Sequence, residues 1–350
     1  VALFRKTGPD RTPESVLFYS NGEAFGDGAL QLPMLQGLRS VFPQARFVWL
    51  TETRTAYATS LRSLTSGLID DLWTLEPGLP GHTPAPAELF STRFGAILDL
   101  RRFLKRTLWL RLRLHSDLFV SPALGYRLSA RRPADGRKDP PLLRERMMRW
   151  ASLVAGTPLE PGPFVLKDPK TLELARHLLP DEGRYMGFFP GAGTLYKRWP
   201  LERVIAVALH ERTRGFTPVF ALGPDDRDLE APLRAALPDA LYPLGDPAAA
   251  GAGPGLSIAL ARRMTGVVAN DGGAAHIAAL GASAMVFLTR GQFVRKKYAP
   301  VLPYAVSLAP EDFGVAAETF EGRIDAIPVQ AVLDALAALQ PGQPLLASRA

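Results

Sequence analysis

The sequence contains no cysteine, which excludes a disulfide scaffold, a thiolate-held zinc or iron–sulfur site and a thiol nucleophile. Histidine is scarce, at five residues, and no His-Glu-x-x-His pair occurs, so no motif supports a histidine-based metal centre. No apolar run approaches the roughly 20 residues of a bilayer-spanning helix, and no stretch reads as a secretory leader. Hydrophobic residues make up 47% and charged ones 21%, a balance that excludes disordered and collagen-like chains. What remains is a 350-residue chain, about two domains long at ~150 residues each and expected to be cytoplasmic.

The positive charge is concentrated. Residues 101–149 hold 14 Lys and Arg against 4 Asp and Glu, whereas the rest of the chain holds 27 against 30. A near-neutral protein therefore carries one strongly basic segment, which predicts an anionic partner. Its first stretch places Arg101, Arg102, Lys105 and Arg106 among bulky apolar residues. Phe103, Leu104, Leu108 and Leu112 fit a helical face, while Leu108, Leu110, Leu112 and Leu114 fit strand alternation, and periodicity does not choose between them. The stretch reads as a solvated face, as a surface for anionic lipid or acidic glycan, or as a nucleic-acid contact. No nucleic-acid motif accompanies it, and no nucleic-acid partner is expected.

Apolar runs alternate with helical patterns along both halves, which predicts an α/β fold with parallel sheets. In the first half a strand over 16–20 leads into a glycine-rich loop over 21–28. A helix through Met34, Leu35, Leu38, Val41 and Phe42 follows, ended by Pro43, and strands are expected at 46–50 and 96–100. Residues 151–181, rich in proline and glycine, read as a linker. The second half predicts strands at 185–189, 217–222, 266–269 and 284–288. Helices are expected from Pro200, over 226–236, over 274–280 and over 329–339. The domains so read are 1–175, 182–326, a C-terminal helix at 327–340 and a tail at 341–350, the two larger ones doubly wound and facing each other across a cleft.

In such sheets ligands bind beyond the carboxyl ends of the strands, where three loops carry unusual residues. In Gly26-Asp27-Gly28, Asp27 either caps the following helix or serves as a general base toward a hydroxyl. In the loop 190–200, glycines including Gly191 let backbone N–H groups converge on an anion near Thr194, and Lys197 can reach a phosphate oxygen. In Asn270-Asp271-Gly272-Gly273, two glycines bare the backbone after a strand, and His276 follows as either a buried histidine or part of a pocket. Asp225 and Asp226 either reach ribose hydroxyls or favour a helix start, and Asp226-Arg227-Asp228 also matches a metal-binding Asp-x-Asp pattern.

Together these loops resemble glycosyltransferase family 9, the bacterial heptosyltransferase family of lipopolysaccharide core assembly. The resemblance rests on Gly26-Asp27 through Leu32-Pro33 to Phe42-Pro43, and on Pro190-Gly191-Ala192 with Lys197-Arg198-Trp199-Pro200. It continues in Asn270-Asp271, Gly273, His276 and Ala278-Ala279, and in the run from Ile327 to Val332. It implies a GT-B fold of two Rossmann-like domains, with the donor held mainly by the second. The implied reaction is inverting transfer of a sugar, typically heptose from its ADP-activated form, to a glycan hydroxyl, with no metal and no cofactor. Asp27 would be the base, and Lys197 with the N–H groups of Gly272 and Gly273 would neutralise the departing diphosphate. Asp271 and Thr194 would line the donor, Asp226, with Asp225 as the alternative, would stand near the ribose, and His276 would shape the pocket. Arg101, Arg102, Lys105 and Arg106 would meet an acidic glycan or glycolipid acceptor or the inner membrane's cytoplasmic surface. Gly193 and Gly272 depart from the family, where hydroxyl residues are common. The alternatives are a non-catalytic binding module of the same fold and another nucleotide-sugar enzyme such as an epimerase.

Overall fold

A computed structural model of the chain describes residues 12–160, 162–316 and 322–339; the tail at 341–350 lies outside them. The chain divides into two compact units, Val1–Phe164 and Val165–Ala350, each built on one parallel sheet. Among the described residues no helix is long and apolar enough to cross a membrane.

The first unit runs β1 (Ser15–Ser20), α1 (Phe25–Val41), β2 (Arg46–Thr51), α2 (Arg62–Thr65), β3 (Asp71–Thr74), β4 (Thr83–Pro84), β5 (Arg93–Asp99), α3 (Leu104–Arg113), β6 (His115–Val120) and α4 (Leu143–Ala155). Its six strands lie in the order β4-β3-β2-β1-β5-β6, all parallel. The chain winds outward from β1 in both directions, so the strand order reverses between β1 and β5, where a ligand crevice opens beyond the strand ends. Strand β1 is buried on both sides, as parallel strands covered by helices must be. Leu17 and Tyr19 join a core with Leu50, Ile97, Leu110 and Leu114, while Phe18 on the opposite side stacks on Trp49 at 5.5 Å between ring centroids.

The second unit runs α5 (Pro169–Leu178), β7 (Tyr185–Phe189), α6 (Leu201–Thr213), β8 (Thr217–Phe220), α7 (Arg227–Ala236), α8 (Gly255–Ala261), β9 (Met264–Asn270), α9 (Gly273–Ala278), β10 (Ala284–Leu288), α10 (Gln292–Tyr298), β11 (Tyr304–Leu308) and α11 (Val329–Ala338). The order β11-β10-β9-β7-β8 repeats the outward winding, with its reversal between β7 and β9. One face is filled by Phe188, Val207, Phe220, Val286 and Leu336, the other by Phe189, Leu260, Val267 and Phe287. Helix α11 joins this unit through Val332 and Leu336, and the Trp199 indole donates to the Ile327 carbonyl at 2.9 Å.

Three expectations are revised. The glycine-rich loop after β1 is shorter than expected, because α1 starts at Phe25 and takes Gly26-Asp27-Gly28 into its first turn. The 151–181 stretch is not a linker throughout: α4 packs on α1, and α5 buries Ala175 against the core of the second unit with Leu179 just beyond it. The division accordingly falls at Phe164, before α5, rather than near 175. The basic stretch whose periodicity was ambiguous is a helix, α3, followed by the edge strand β6. Leu110 and Leu114 are buried by α3 and its C-cap, while Leu108 and Leu112, which a strand would have turned to the same side, stay exposed.

Leu110 is fully buried and anchors α3 to the sheet. Substituting Leu110→Ala should cost about 2–5 kcal/mol of unfolding free energy, measured as a lowered urea midpoint with the slope unchanged.

Candidate active site

In the first unit the loop after β1 carries Glu23, and Asp27 follows four residues later. Asp27 sits in the first turn of α1, where the helix dipole favours an acid; the N-cap itself is Ala24, without a side-chain cap. Asp27 is half-buried, and Glu23 is buried. The sequence reading missed Glu23. The Thr55 hydroxyl donates to it at 2.6 Å. Burial pushes the Glu23 carboxyl above its ordinary range, the Ser20 and Thr55 hydroxyls pull it partly back, and the Asp27 charge adds to the rise. The buried Tyr57 hydroxyl donates to the Gly28 carbonyl at 2.9 Å, fixing the helix start that carries Asp27.

Between the ends of β1 and β5 lies a cavity of about 550 Å³ lined by Tyr19, Asn21, Glu52, Arg101, Phe103, Leu104, Lys105 and Arg106. Asp99 builds it. Fully buried at the end of β5, its carboxylate accepts from the Thr107 hydroxyl at 2.6 Å, the Ser121 hydroxyl at 2.8 Å and the Arg101 N–H at 2.8 Å. Those bonds hold the start of α3 against the sheet and so set where the basic side chains emerge. Arg106 pairs with Glu52 at 2.8 Å, and Glu52 also accepts from the Tyr19 hydroxyl. Arg102 is exposed and does not line the cavity.

In the second unit the loops after β7, β9 and β10 converge at the reversal of strand order. The Asn270 amide donates to the Pro190 carbonyl at 2.6 Å, which clamps the first two loops together. Asp271, buried at the end of β9, has two cations about it: Lys197 Nζ at 3.9 Å and Arg290 Nε at 4.0 Å. Arg290, missed in the sequence, follows the buried strand β10. The rule that drew attention to the loops after β7 and β9 applies equally there. Its guanidinium also lies 5.5 Å from the centre of the Tyr196 ring.

Gly191 lies against Asp226, so that a Cβ at 191 would run into that carboxylate. Asp226 itself is buried. It accepts from the Gly223 N–H at 2.9 Å and faces Arg198 at 3.4 Å, with burial raising its carboxyl above the ordinary range against those two partners. It braces the wall of the site. Asp225 beside it is exposed, as are Gly193 and Thr194. Gly272 and Gly273 are half-buried at the start of α9. His276 is buried beside Phe287 and Tyr298, and burial, with the Lys197 charge, pushes its imidazole down to about 4. Among the described residues no cluster of three or more His, Cys, Asp or Glu could hold a metal.

No family model matches the sequence, and no curated protein matches it. Solved structures do. A glycosyltransferase family 9 protein from Veillonella parvula matches with a TM-score of 0.65 and 17% identity, over 93% of this chain and 96% of that one. The ADP-heptose lipopolysaccharide heptosyltransferase II of E. coli matches at 0.60 and 20%, over 93% and 98%. The E. coli heptosyltransferase WaaC with ADP-2-deoxy-2-fluoro heptose matches at 0.56 and 15%, over 93% and 99%. The chain has the fold of these transferases. This is the two-unit GT-B fold, recognised over nearly the whole length of both partners while most side chains differ.

Two glycines in the site have opposite tolerances. A Cβ at Gly272 meets nothing nearer than 3.5 Å, and its backbone is extended (φ −165°). Gly272→Ser should therefore fold with a melting temperature equal to or slightly above the parent's, since serine is a marginally better N-cap than glycine. Gly191→Ala should instead displace Asp226 and cost about 1–3 kcal/mol, read by the same thermal melts. The lowered folded-state value of His276 means that the unfolded chain binds its proton more readily. Its contribution to stability is then full above about pH 6.5 and lost as pH falls toward 4, an effect of about 3 kcal/mol. Denaturation curves at stepped pH should show this loss in the parent and a shallower one in His276→Gln.

Proposed function

We propose that the chain is an inverting glycosyltransferase of the heptosyltransferase kind. It would move a sugar, heptose, from a nucleoside-diphosphate donor, ADP-heptose, to a hydroxyl of an acidic glycan or glycolipid, as in lipopolysaccharide core assembly on the cytoplasmic side. The observation that carries this reading is the pair of cations, Lys197 and Arg290, within 4.0 Å of Asp271 at the ligand edge of the second sheet. The fold supports it, since the structural neighbours are glycosyltransferases.

The chemistry follows from charge. Breaking the bond between the sugar and the diphosphate leaves negative charge on the phosphate oxygens, and cations already in place stabilise that charge as it develops. With no donor bound, Asp271 balances the cations, and a diphosphate takes up their charge on arrival. Thr194, Gly272 and Gly273 complete the donor surface, His276 is the neutral wall beneath it, and Asp225 is better exposed than Asp226 to meet the ribose. The attacking hydroxyl must lose a proton as its oxygen bonds to the anomeric carbon. Asp27 accepts that proton, because burial favours the neutral form of its neighbour Glu23. Arg101, Lys105 and Arg106 give the acceptor's phosphates or carboxylates a cationic cavity.

Incubation with ADP-, UDP- and GDP-sugars, read by mass spectrometry of nucleotide release, should select a donor. Lys197→Ala should weaken nucleotide binding at least tenfold by calorimetry. Asp27→Asn should lower transfer at least a hundredfold while nucleotide affinity stays within about twofold. Absence of nucleotide binding in the parent protein would refute the reading. Binding without transfer to any acceptor would instead favour a non-catalytic module, the outcome to which Gly193 and Gly272 point. Release of an altered sugar without an acceptor would indicate an epimerase.

A further inference from the structure

Leu195 and Phe293 are out of keeping with the rest of the second unit. They are 76% and 72% exposed, and among the described residues of that unit only Val165, ahead of α5, joins them as a large apolar side chain left in water. Each stands within three positions of a cation of the site. Leu195 comes two residues before Lys197, and Phe293 three after Arg290. One exposed apolar side chain needs no explanation, but two that flank a single charged site do.

Neither is exposed through poor packing of its own segment. Leu195 opens a short helical turn, Leu195–Lys197, whose end is closed by the Arg198 N–H donating to the Leu195 carbonyl at 2.9 Å. Arg198 is pinned in turn by Asp228 at 2.6 Å. Phe293 lies in α10, which buries Val294 and pairs Arg295 with Asp312 at 2.8 Å. The Gln292 N–H beside it donates to the Glu311 carboxylate at 2.9 Å. Both side chains are therefore set at fixed points, a preorganisation that lowers the cost of binding against them.

The strand order indicates which part of a donor they would meet. On the transferase reading the ribose lies by Asp225, beyond β8, and the phosphates by Lys197 and the start of α9, beyond β7 and β9. The strands run β10-β9-β7-β8 across this edge, so the end of the donor away from the nucleoside reaches the loop after β10, which carries Arg290 and leads into Phe293. Leu195 follows β7, but its loop extends across β9, because the Tyr196 ring meets the Arg290 guanidinium at 5.5 Å. Both apolar side chains thus fall at the sugar end. A sugar ring carries hydroxyls at its edge and C–H bonds on its faces, and the faces suit apolar and aromatic walls. A phosphate would gain nothing from either side chain, and a nucleobase lies at the opposite end.

We propose that Leu195 and Phe293 are specificity-determining residues that pack on the C–H faces of the donor's sugar. The inference rests on the transferase reading and deepens it, by assigning recognition of the sugar to side chains other than those that hold the diphosphate.

Calorimetry of the full chain with ADP and with ADP-heptose separates the two parts of the donor. Phe293→Ala and Leu195→Ala should each raise the Kd for ADP-heptose at least about fivefold, with the Kd for ADP within about twofold of the parent's and an unchanged thermal melt. Phe293→Trp should keep ADP-heptose affinity within about twofold of the parent's. Where the parent binds both compounds, unchanged ADP-heptose affinity in either alanine variant would overturn the inference alone, as would an equal loss of affinity for ADP. A parent that binds ADP but not ADP-heptose would also overturn it. A parent that binds neither would overturn the transferase reading together with it.

Discussion

Parallel strands send every outgoing connection to the same edge of their sheet, and this constraint governs where chemistry appears in both units. A residue that follows a strand of either sheet arrives at that edge, whatever its distance in sequence from the others. Asp27 and Arg101 are 74 positions apart in number yet emerge beyond neighbouring strands, because β1 pairs directly with β5. Lys197, Asp271 and Arg290 follow β7, β9 and β10, which are adjacent in their sheet. At the reversal of strand order no connection covers the crevice, so the side chains delivered there have room for a ligand.

What those side chains become depends on the partners the fold sets beside them. The same residue type takes two roles within one unit. Asp99 and Asp226 are buried and surrounded by donors, and each spends its oxygens on holding loops in place. Asp271 is also buried, and two cations stand near it at 3.9 and 4.0 Å, distances at which those two pairings are electrostatic rather than hydrogen bonds. Loose pairing of this kind can be exchanged for a ligand's charge at small cost. Close bonds such as those of Asp99 cannot.

Much of this was readable from the residues alone. Short β-branched and aromatic runs bounded by glycine and proline located β7 and β10 to the residue, because buried parallel strands leave no alternation to confuse the pattern. The loops after β7 and β9 were legible for the same reason. The start of α1 was not: glycine is a poor helix former, so Gly26 and Gly28 read as loop, whereas the Tyr57 hydroxyl bonded to the Gly28 carbonyl supports the helical first turn. Residues 151–181 misled through their prolines, although Pro169 stands at the first position of α5, where proline is tolerated. Glu23 and Arg290 belong to no motif, and their significance comes from what the fold sets beside them.

The basic segment shows how far composition reaches before geometry must take over. Counting charges leads only to the expectation of an anionic partner, and a count cannot separate cations that line a cavity from cations on an outer surface. The helix divides the cations between the two. Arg101, Lys105 and Arg106 line the cavity beside β1 and β5, and Lys105, Arg113 and Arg102 are exposed on and just before α3, as are Leu104, Leu108 and Leu112. Lys105 belongs to both sets, so one flexible ammonium can face the cavity or the outer surface. Asp99 holds both arrangements at once, because the Thr107 hydroxyl it receives fixes the rotation of α3 about its own axis. Turning the helix by one residue, about 100°, would bury Leu108 or Leu104 and carry the cavity's cations away from the strand ends.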